Sequence, residues 1–120
     1  MSLQLTAIKA TTTIVYRFIG KLVYIRGSHN AHSIQLANQI KAKGGIVTQS
    51  NSAWLKCDMF GDNKLFNLTN HKIDLESNLI KNKTNKELTT ASDENIEKVL
   101  CDFFKQMLEV SEFKCEVKEI

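Results

Sequence analysis

The order strand, glycine, helix, glycine pair, strand is the feature of this sequence that most restricts its fold. The strand-like segment Lys21–Arg26 contains the apolar run LVYI, Gly27 follows it, and a helical pattern covers about Ala31–Lys43. Gly44 and Gly45 then end the helix, because glycine adopts a left-handed backbone without a Cβ clash, and the strand-like IVTQS follows. This order predicts a βαβ unit with a right-handed crossover and two parallel strands.

Strand and helix patterns continue on both sides of this unit. TTTIVYRF reads as a strand that turns at Gly20 into the segment Lys21–Arg26, which we interpret as a central, parallel strand. Ser92 is a helix cap before an amphipathic run, and the final EFKCEVKEI alternates like an edge strand. We predict an α/β fold, a small parallel-sheet domain with flanking helices. The alternative is an α+β fold in which residues 53–68 form an antiparallel hairpin.

The composition predicts one folded and mildly basic domain. A chain of 120 residues can bury a single core, and its 42% hydrophobic and 24% charged residues are typical of globular proteins. Sixteen basic against 13 acidic residues give a net charge of +3, which permits an anionic partner without requiring one. The sequence contains neither an export signal nor an apolar run of membrane-spanning length, so we expect a cytoplasmic protein with no membrane partner.

No motif for catalysis or metal binding stands out in the sequence. His29 and His32 have a spacing that metal ligands use, but nothing completes the set, and three widely spaced cysteines suit buried reduced thiols. Neither G-x-G-x-x-G nor G-x-x-x-x-G-K-[ST] occurs, which disfavours a nucleotide. We expect no catalytic residue, no metal and no cofactor. A phosphate-handling enzyme that uses the turn at 26–30 is an alternative function.

The glycine-bearing turn RGSHN, residues 26–30, is the candidate binding site. Backbone N–H groups at the start of a helix often hold phosphate, and Arg26, Ser28 and the amides after Gly27 are candidate donors. A structural turn at Gly27 is the alternative. Basic residues elsewhere make a patch only if the fold brings them to one face. The lysines in question are Lys41, Lys43, Lys56, Lys64 and Lys72, and the aromatic residues between them, which either stack on nucleic-acid bases or fill the core, are Trp54, Phe60 and Phe66.

Taken in order, these motifs resemble the BRCT domain of NAD-dependent DNA ligases, clamp-loader large subunits and damage-response proteins. FIGKLVYIRGS, a helix ending in IKAKGG, IVTQSNS and GDN carry the resemblance over about residues 18–63. We predict a single domain, 1–120, with a BRCT-like core at 18–108, an N-terminal strand extension at 1–17 and a C-terminal strand or tail at 109–120. The matching positions are Gly20, Lys21, Gly27, Gly44, Gly45, Val47, Thr48, Ser50, Ser52, Gly61 and Asp62.

The BRCT resemblance implies a non-enzymatic binding module for DNA ends, or for phosphorylated or other protein partners, in DNA transactions. Its phosphate pocket would consist of the Gly27 N–H, Ser28 beside it and Lys64 from the second helix. Arg26 stands where the family carries a small hydroxyl residue, and a guanidinium also binds phosphate. A small dimeric α+β interaction protein of viral or mobile-element origin is a further alternative, and a homodimer is compatible with either.

Overall fold

The fold is built on a six-stranded antiparallel sheet that carries two of the described helices on one face. The computed structural model describes residues 2–27, 30–49, 54–61, 65–69, 72–79 and 88–120. The described strands are β1 (Leu3–Lys9), β2 (Thr12–Ile19), β3 (Leu22–Gly27), β4 (Ile46–Gln49), β5 (Leu55–Asp58), β6 (Phe66–Thr69), β7 (Lys72–Ile73), β8 (Leu88–Thr89) and β9 (Lys114–Glu119). The described helices are α1 (Asn30–Ala42), α2 (Leu75–Leu79) and α3 (Asp93–Val110).

Both described sheets are antiparallel throughout. The six-stranded sheet has the order β4-β5-β3-β2-β1-β9. In the three-stranded sheet, β6 pairs with β7 on one side and β8 on the other. No described helix is long and apolar enough to cross a membrane.

The predicted parallel sheet is wrong. β3 and β4 run in the same direction on either side of α1, as a βαβ unit requires, but β5 lies between them and is antiparallel to both. Val23 and Val47 therefore both pair with Cys57 and not with each other. The apolar run of β3 does identify a central strand, but apolar residues on two faces say nothing about the direction of the neighbouring strands.

The alternative hairpin at residues 53–68 is also wrong. β5 joins the six-stranded sheet, whereas β6 joins the three-stranded one. Phe60 and Phe66 still meet edge to face, with their ring centroids 4.8 Å apart. The two segments therefore share one core without pairing as strands, and a sequence pattern that brings apolar residues together does not distinguish these two arrangements.

Several of the predicted local elements are confirmed. α1 lies within one residue of its expected bounds, and Gly44 follows it with a φ of +94°. The Ser92 side chain caps α3 by accepting a hydrogen bond from the backbone N–H of Asn95. Gly20 makes the turn between β2 and β3 with a φ of +59°, and β9 lies at a sheet edge. Short-range rules were sufficient for these elements because each depends on residues that are close in sequence.

The core lies between the six-stranded sheet and helices α1 and α3. Alternate residues of the strands point into it because side chains along a strand alternate between the two faces. The fully buried residues on the sheet side are Leu5, Ala7, Ile14, Tyr16, Phe18, Val23, Ile25 and Cys57, and those from α3 include Ile96, Leu100, Phe104 and Leu108. The opposite face of the sheet carries no described helix, and we call it the open face.

Candidate functional site

The open face displays positive charge along one line that crosses all six strands. The strand register places one outward-facing residue from each strand side by side, in the order Lys118, Gln4, Arg17, Tyr24, Lys56 and Thr48. We call this line the cationic row. Three of its six side chains are positively charged and none is acidic. Since neighbouring strands lie about 4.8 Å apart, the row spans roughly 24 Å and meets a cation at every second strand.

Trp54 holds two arginines at the open face. It lies immediately before β5, and its ring centroid is 4.8 Å from the guanidinium carbon of Arg17 and 5.8 Å from that of Arg26. Contacts of this length contribute about 0.5–1 kcal/mol each at an exposed site. Stacking also fixes the plane of a guanidinium, whose N–H groups lie along its edge. The indole therefore orients both guanidinium groups so that a ligand can accept hydrogen bonds from the N–H groups in the plane of each guanidinium.

Arg17 has a second restraint from the neighbouring strand. Its Nε donates a hydrogen bond to Oε1 of Gln4 at 3.1 Å, and Gln4 is its direct cross-strand partner. Within the described ranges, ion pairs form only between lysines and carboxylates, so neither Arg17 nor Arg26 has an acidic partner there. Two like charges beside one ring repel each other, and a bound anion would relieve that repulsion.

An open cavity of about 490 Å³ lies beside these arginines. Its floor is the outward-facing side of β1, β2 and β3, and Trp54 forms one side. Its volume falls within the range of small-ligand sites, roughly 300–1,000 Å³. The residues that line it are Gln4, Thr13, Val15, Arg17, Arg26, Gly27 and Trp54.

The structure brings together two of the four residues predicted for phosphate binding. Arg26 and Gly27 both line the cavity, whereas Ser28 and Lys64 lie outside the described residues. Sequence reasoning missed Arg17, although a signal was present. Once Gly20 is accepted as the turn of a β2–β3 hairpin, the strand alternation places Arg17 and Arg26 on the same outward face.

The fold brings only some of the candidate lysines to one face. Lys56 belongs to the cationic row, whereas Lys41 lies on α1, in the helix layer, and Lys72 lies on β7. Lys43 follows α1 and forms an ion pair with Glu76 at 3.5 Å.

Among the aromatic candidates, only Trp54 contributes to the open face. Phe60 and Phe66 are 1% and 3% exposed, so they belong to the core. Of the two alternatives for these aromatic residues, core packing therefore holds for Phe60 and Phe66, and stacking stays a candidate role for Trp54 alone.

The described cysteines do not provide a nucleophile. Burial raises the pKa of both the Cys57 and the Cys101 thiols to about 11, and it is also the main cause of the raised Cys115 pKa. These thiols are protonated at neutral pH, and the thiolate is the reactive form. Within the described ranges, no group of three or more His, Cys, Asp and Glu side chains is placed to hold a metal ion.

The chain matches no protein-family model, no curated protein and no solved structure. The BRCT resemblance consequently stays a prediction, and the parallel sheet that it implies is not formed.

Proposed function

We propose that this chain is a non-enzymatic DNA-binding module that holds a single strand against its open sheet face. The observation that carries the proposal is the stacking of Arg17 and Arg26 on the Trp54 ring. The two guanidiniums lie on the same face as the cationic row, of which Arg17 is a member. They also line one open cavity.

Phosphate is the ligand group that these arginines suit best. A guanidinium offers N–H groups in a planar fork that matches two phosphate oxygens, and stacking on Trp54 reduces the side-chain freedom lost on binding. Lys118 and Lys56 lie two strands away from Arg17 on either side. A DNA backbone that follows the cationic row would therefore meet a positive charge about every 10 Å.

Aromatic side chains on the same face favour a single strand over a duplex. Tyr24 lies in the cationic row between Arg17 and Lys56, and Trp54 contacts Arg17 of the same row. Both residues are half-buried, so part of each side chain is accessible. Stacking of an unpaired base on such a ring contributes about 1–3 kcal/mol and tolerates any sequence, whereas the bases of a duplex are already stacked on each other.

A phosphorylated DNA end is a second candidate ligand on the same surface. Arg26 and Gly27 stand together in the cavity lining, and Arg17 lines it as well. A terminal phosphate carries more negative charge than an internal one, so two converging guanidiniums would bind it more tightly. This version predicts a preference for 5′-phosphorylated oligonucleotides that a purely backbone-based interface lacks.

Titration with labelled oligonucleotides tests the proposal. Single-stranded and double-stranded DNA, each with and without a 5′ phosphate, are compared at several salt concentrations by fluorescence anisotropy. We expect the single strand to bind more tightly than the duplex. The logarithm of the association constant should fall linearly with the logarithm of the salt concentration, and we call the gradient of this line the salt slope. Arg17→Gln and Arg26→Gln should each weaken binding by roughly tenfold and reduce the salt slope by about one ion.

Lys98→Gln is the matched control. Lys98 is an exposed residue of α3, in the helix layer, with its Nζ 3.7 Å from Oε1 of Glu94. This change therefore also removes one positive charge, but at a position that is not on the open face. The control should bind DNA as the wild type does, within about twofold after the small change in net charge. Absence of binding to every DNA, or an equal loss in Lys98→Gln, contradicts the proposal and leaves a protein partner as the remaining candidate.

A further inference from the structure

β9 is an edge strand with one row of backbone groups directed away from the sheet. It pairs with β1 on its inner side, and no described strand lies on its outer side. The Ile120 N–H donates to the Ser2 carbonyl at 2.9 Å, which fixes the alternation of hydrogen-bonded pairs along β1 and β9. It follows that Cys115, Val117 and Glu119 point their N–H and C=O groups outward.

We propose that β9 pairs antiparallel with β9 of a second copy of this chain, about a twofold axis that passes through Val117. Two six-stranded sheets would thereby join into one continuous sheet of twelve strands. In this register the Val117 backbones of the two copies exchange hydrogen bonds at the axis, and Cys115 pairs in the same way with Glu119 of the second copy. All outward backbone groups of the strand are then satisfied, which removes an exposed edge.

The charges on β9 select this register. Centring on Val117 places Glu116 opposite Lys118 of the second copy, and symmetry repeats the pair. These are non-hydrogen-bonded positions, where opposing side chains approach most closely. A shift that centres the pairing on Glu116 would oppose Glu116 to itself and Lys114 to Lys118, so it brings like charges together. Centring on Cys115 pairs unlike charges again but overlaps a much shorter length of strand.

Charged residues on an edge strand often serve to prevent pairing, and the sign pattern of β9 argues against that role. Lysine is the residue that most often protects an edge, and like charges placed opposite each other on two copies would oppose pairing. β9 alternates Lys114, Glu116 and Lys118 on one face, and this pattern is complementary to itself. On the helix side, Val117 is 40% exposed at the edge and would be covered by Val117 of the second copy.

Joining the sheets would also extend the open face. The twofold axis is perpendicular to the sheet, so both open faces lie on the same side of the dimer. Lys118 begins each cationic row, so the two rows would meet near the axis. The dimer itself does not depend on the proposed DNA binding, because β9 and its charges are sufficient to form it.

Charge reversal tests the interface in the absence of DNA, by sedimentation of the full chain over a range of concentrations. Glu116→Lys and Lys118→Glu should each raise the dimer dissociation constant on the order of tenfold or more, because each change opposes like charges twice. The double variant, Glu116→Lys with Lys118→Glu, should restore dimerisation. Neither residue forms an ion pair within the described part of the monomer, so the single changes should leave the fold intact.

Lys114→Glu is the control that separates the possible registers. Lys114 faces Ile120 of the second copy in the proposed register but Glu116 in the register centred on Cys115. The dimer should therefore survive Lys114→Glu. In a Cys115→Ser background, Val117→Cys should form a disulfide between copies under mild oxidation, since its two Cα atoms would lie within bridging distance at the axis.

Three results would overturn the proposal. The first is a wild-type chain that stays monomeric up to roughly 1 mM, and the second is a double charge-swap variant that does not recover. The third is a Lys114→Glu variant that dissociates as readily as Glu116→Lys. None of these results bears on DNA binding, so failure of the dimer and failure of the proposed function can be distinguished.

Discussion

The carboxylate of Glu97 accepts a hydrogen bond from the backbone N–H of Gly20, with 2.6 Å between Oε2 and N across 77 positions of sequence. Gly20 makes the turn between β2 and β3, and Glu97 is a buried residue of α3, only 5% exposed. A buried carboxylate is tolerated only where hydrogen bonds compensate for its lost hydration. The contact fixes the turn between β2 and β3 to the helix layer, and its loss would leave a buried N–H unpaired.

Glu97→Ala is expected to destabilise the protein by about 1–3 kcal/mol, because the Gly20 N–H then loses its acceptor inside the protein. Glu97→Gln is the matched control, since its side-chain carbonyl can still accept the bond without a charge. Urea unfolding followed by circular dichroism measures both changes. If the two variants lose the same free energy of unfolding, the hydrogen bond is not the cause of the loss.

Gly44→Ala should be more destabilising than Gly20→Ala. Both residues have positive φ, +94° and +59°, so each substitution carries about 1–2 kcal/mol of backbone strain. A Cβ at Gly44 would in addition collide with the backbone carbonyl oxygen of Leu79, whereas at Gly20 it would meet the Asp93 side chain at 3.3 Å. A side chain can move and a backbone carbonyl cannot easily do so.

Thermal unfolding compares these two glycine variants directly. The expected order of midpoints is wild type, Gly20→Ala and then Gly44→Ala. A Gly44→Ala variant as stable as Gly20→Ala would mean that the segment around Leu79 moves to accommodate the methyl group at little cost.

Sequence reasoning was reliable where a rule depends on neighbouring residues. The Ser92 cap, the glycine that follows α1 and the alternation of β9 all follow from such local patterns. It failed on the placement of β5, which inserts between β3 and β4. The alternating pattern of β5 requires only that the side of the strand carrying Cys57 faces the core, and the strand can meet this requirement next to any other strand. The sequence therefore does not specify which strands β5 pairs with.

The residues of the candidate site also differ in whether a local sequence pattern is sufficient to predict them. Arg26 and Gly27 were predicted from a turn motif, and they line the cavity on the open face. Trp54 was one of three equivalent aromatic candidates, because nothing local separates an aromatic residue at a sheet face from one in the core. Arg17 can be recognised as a site residue only after the register of β2 and β3 is known. Long-range pairing therefore decides which charges act together.

The stability of the protein should fall as the pH rises from about 9 towards 11. Burial raises the pKa of the Cys57 and Cys101 thiols from 9.0 to about 11, so the unfolded chain releases these protons first. Because the folded state binds more protons in this window, the free energy of unfolding decreases with pH, and the contribution is complete below pH 9. Tyr16, whose pKa is also raised by burial, adds to the loss at higher pH.

Urea unfolding between about pH 8 and 10 measures this dependence. Cys57→Ala should reduce the slope by up to about one proton, whatever its effect on absolute stability. In native protein at neutral pH, alkylation should modify Cys57 and Cys101 far more slowly than in urea, since they are 0% and 2% exposed. Rapid labelling of either buried thiol in the folded state is the result that contradicts this account.

Replacing Trp54 distinguishes the contribution of ring stacking to DNA affinity from the contribution of positive charge. It is the only tryptophan in the chain, so its fluorescence should change as DNA binds and should report the same affinity as a labelled oligonucleotide. Trp54→Leu is expected to weaken single-strand binding by roughly tenfold, because it removes the ring on which Arg17 and Arg26 stack. The salt slope should not change, since both positive charges remain.

Phe103→Leu is the control for the loss of an aromatic ring. Phe103 is 37% exposed but lies on α3, in the helix layer, so its replacement should leave DNA affinity unchanged. Arg17→Gln should lower both the affinity and the salt slope, whereas Trp54→Leu should lower the affinity alone. If Trp54→Leu reduces the slope as much as Arg17→Gln does, the ring acts by placing the arginine charges against phosphate, and direct base stacking makes no separate contribution.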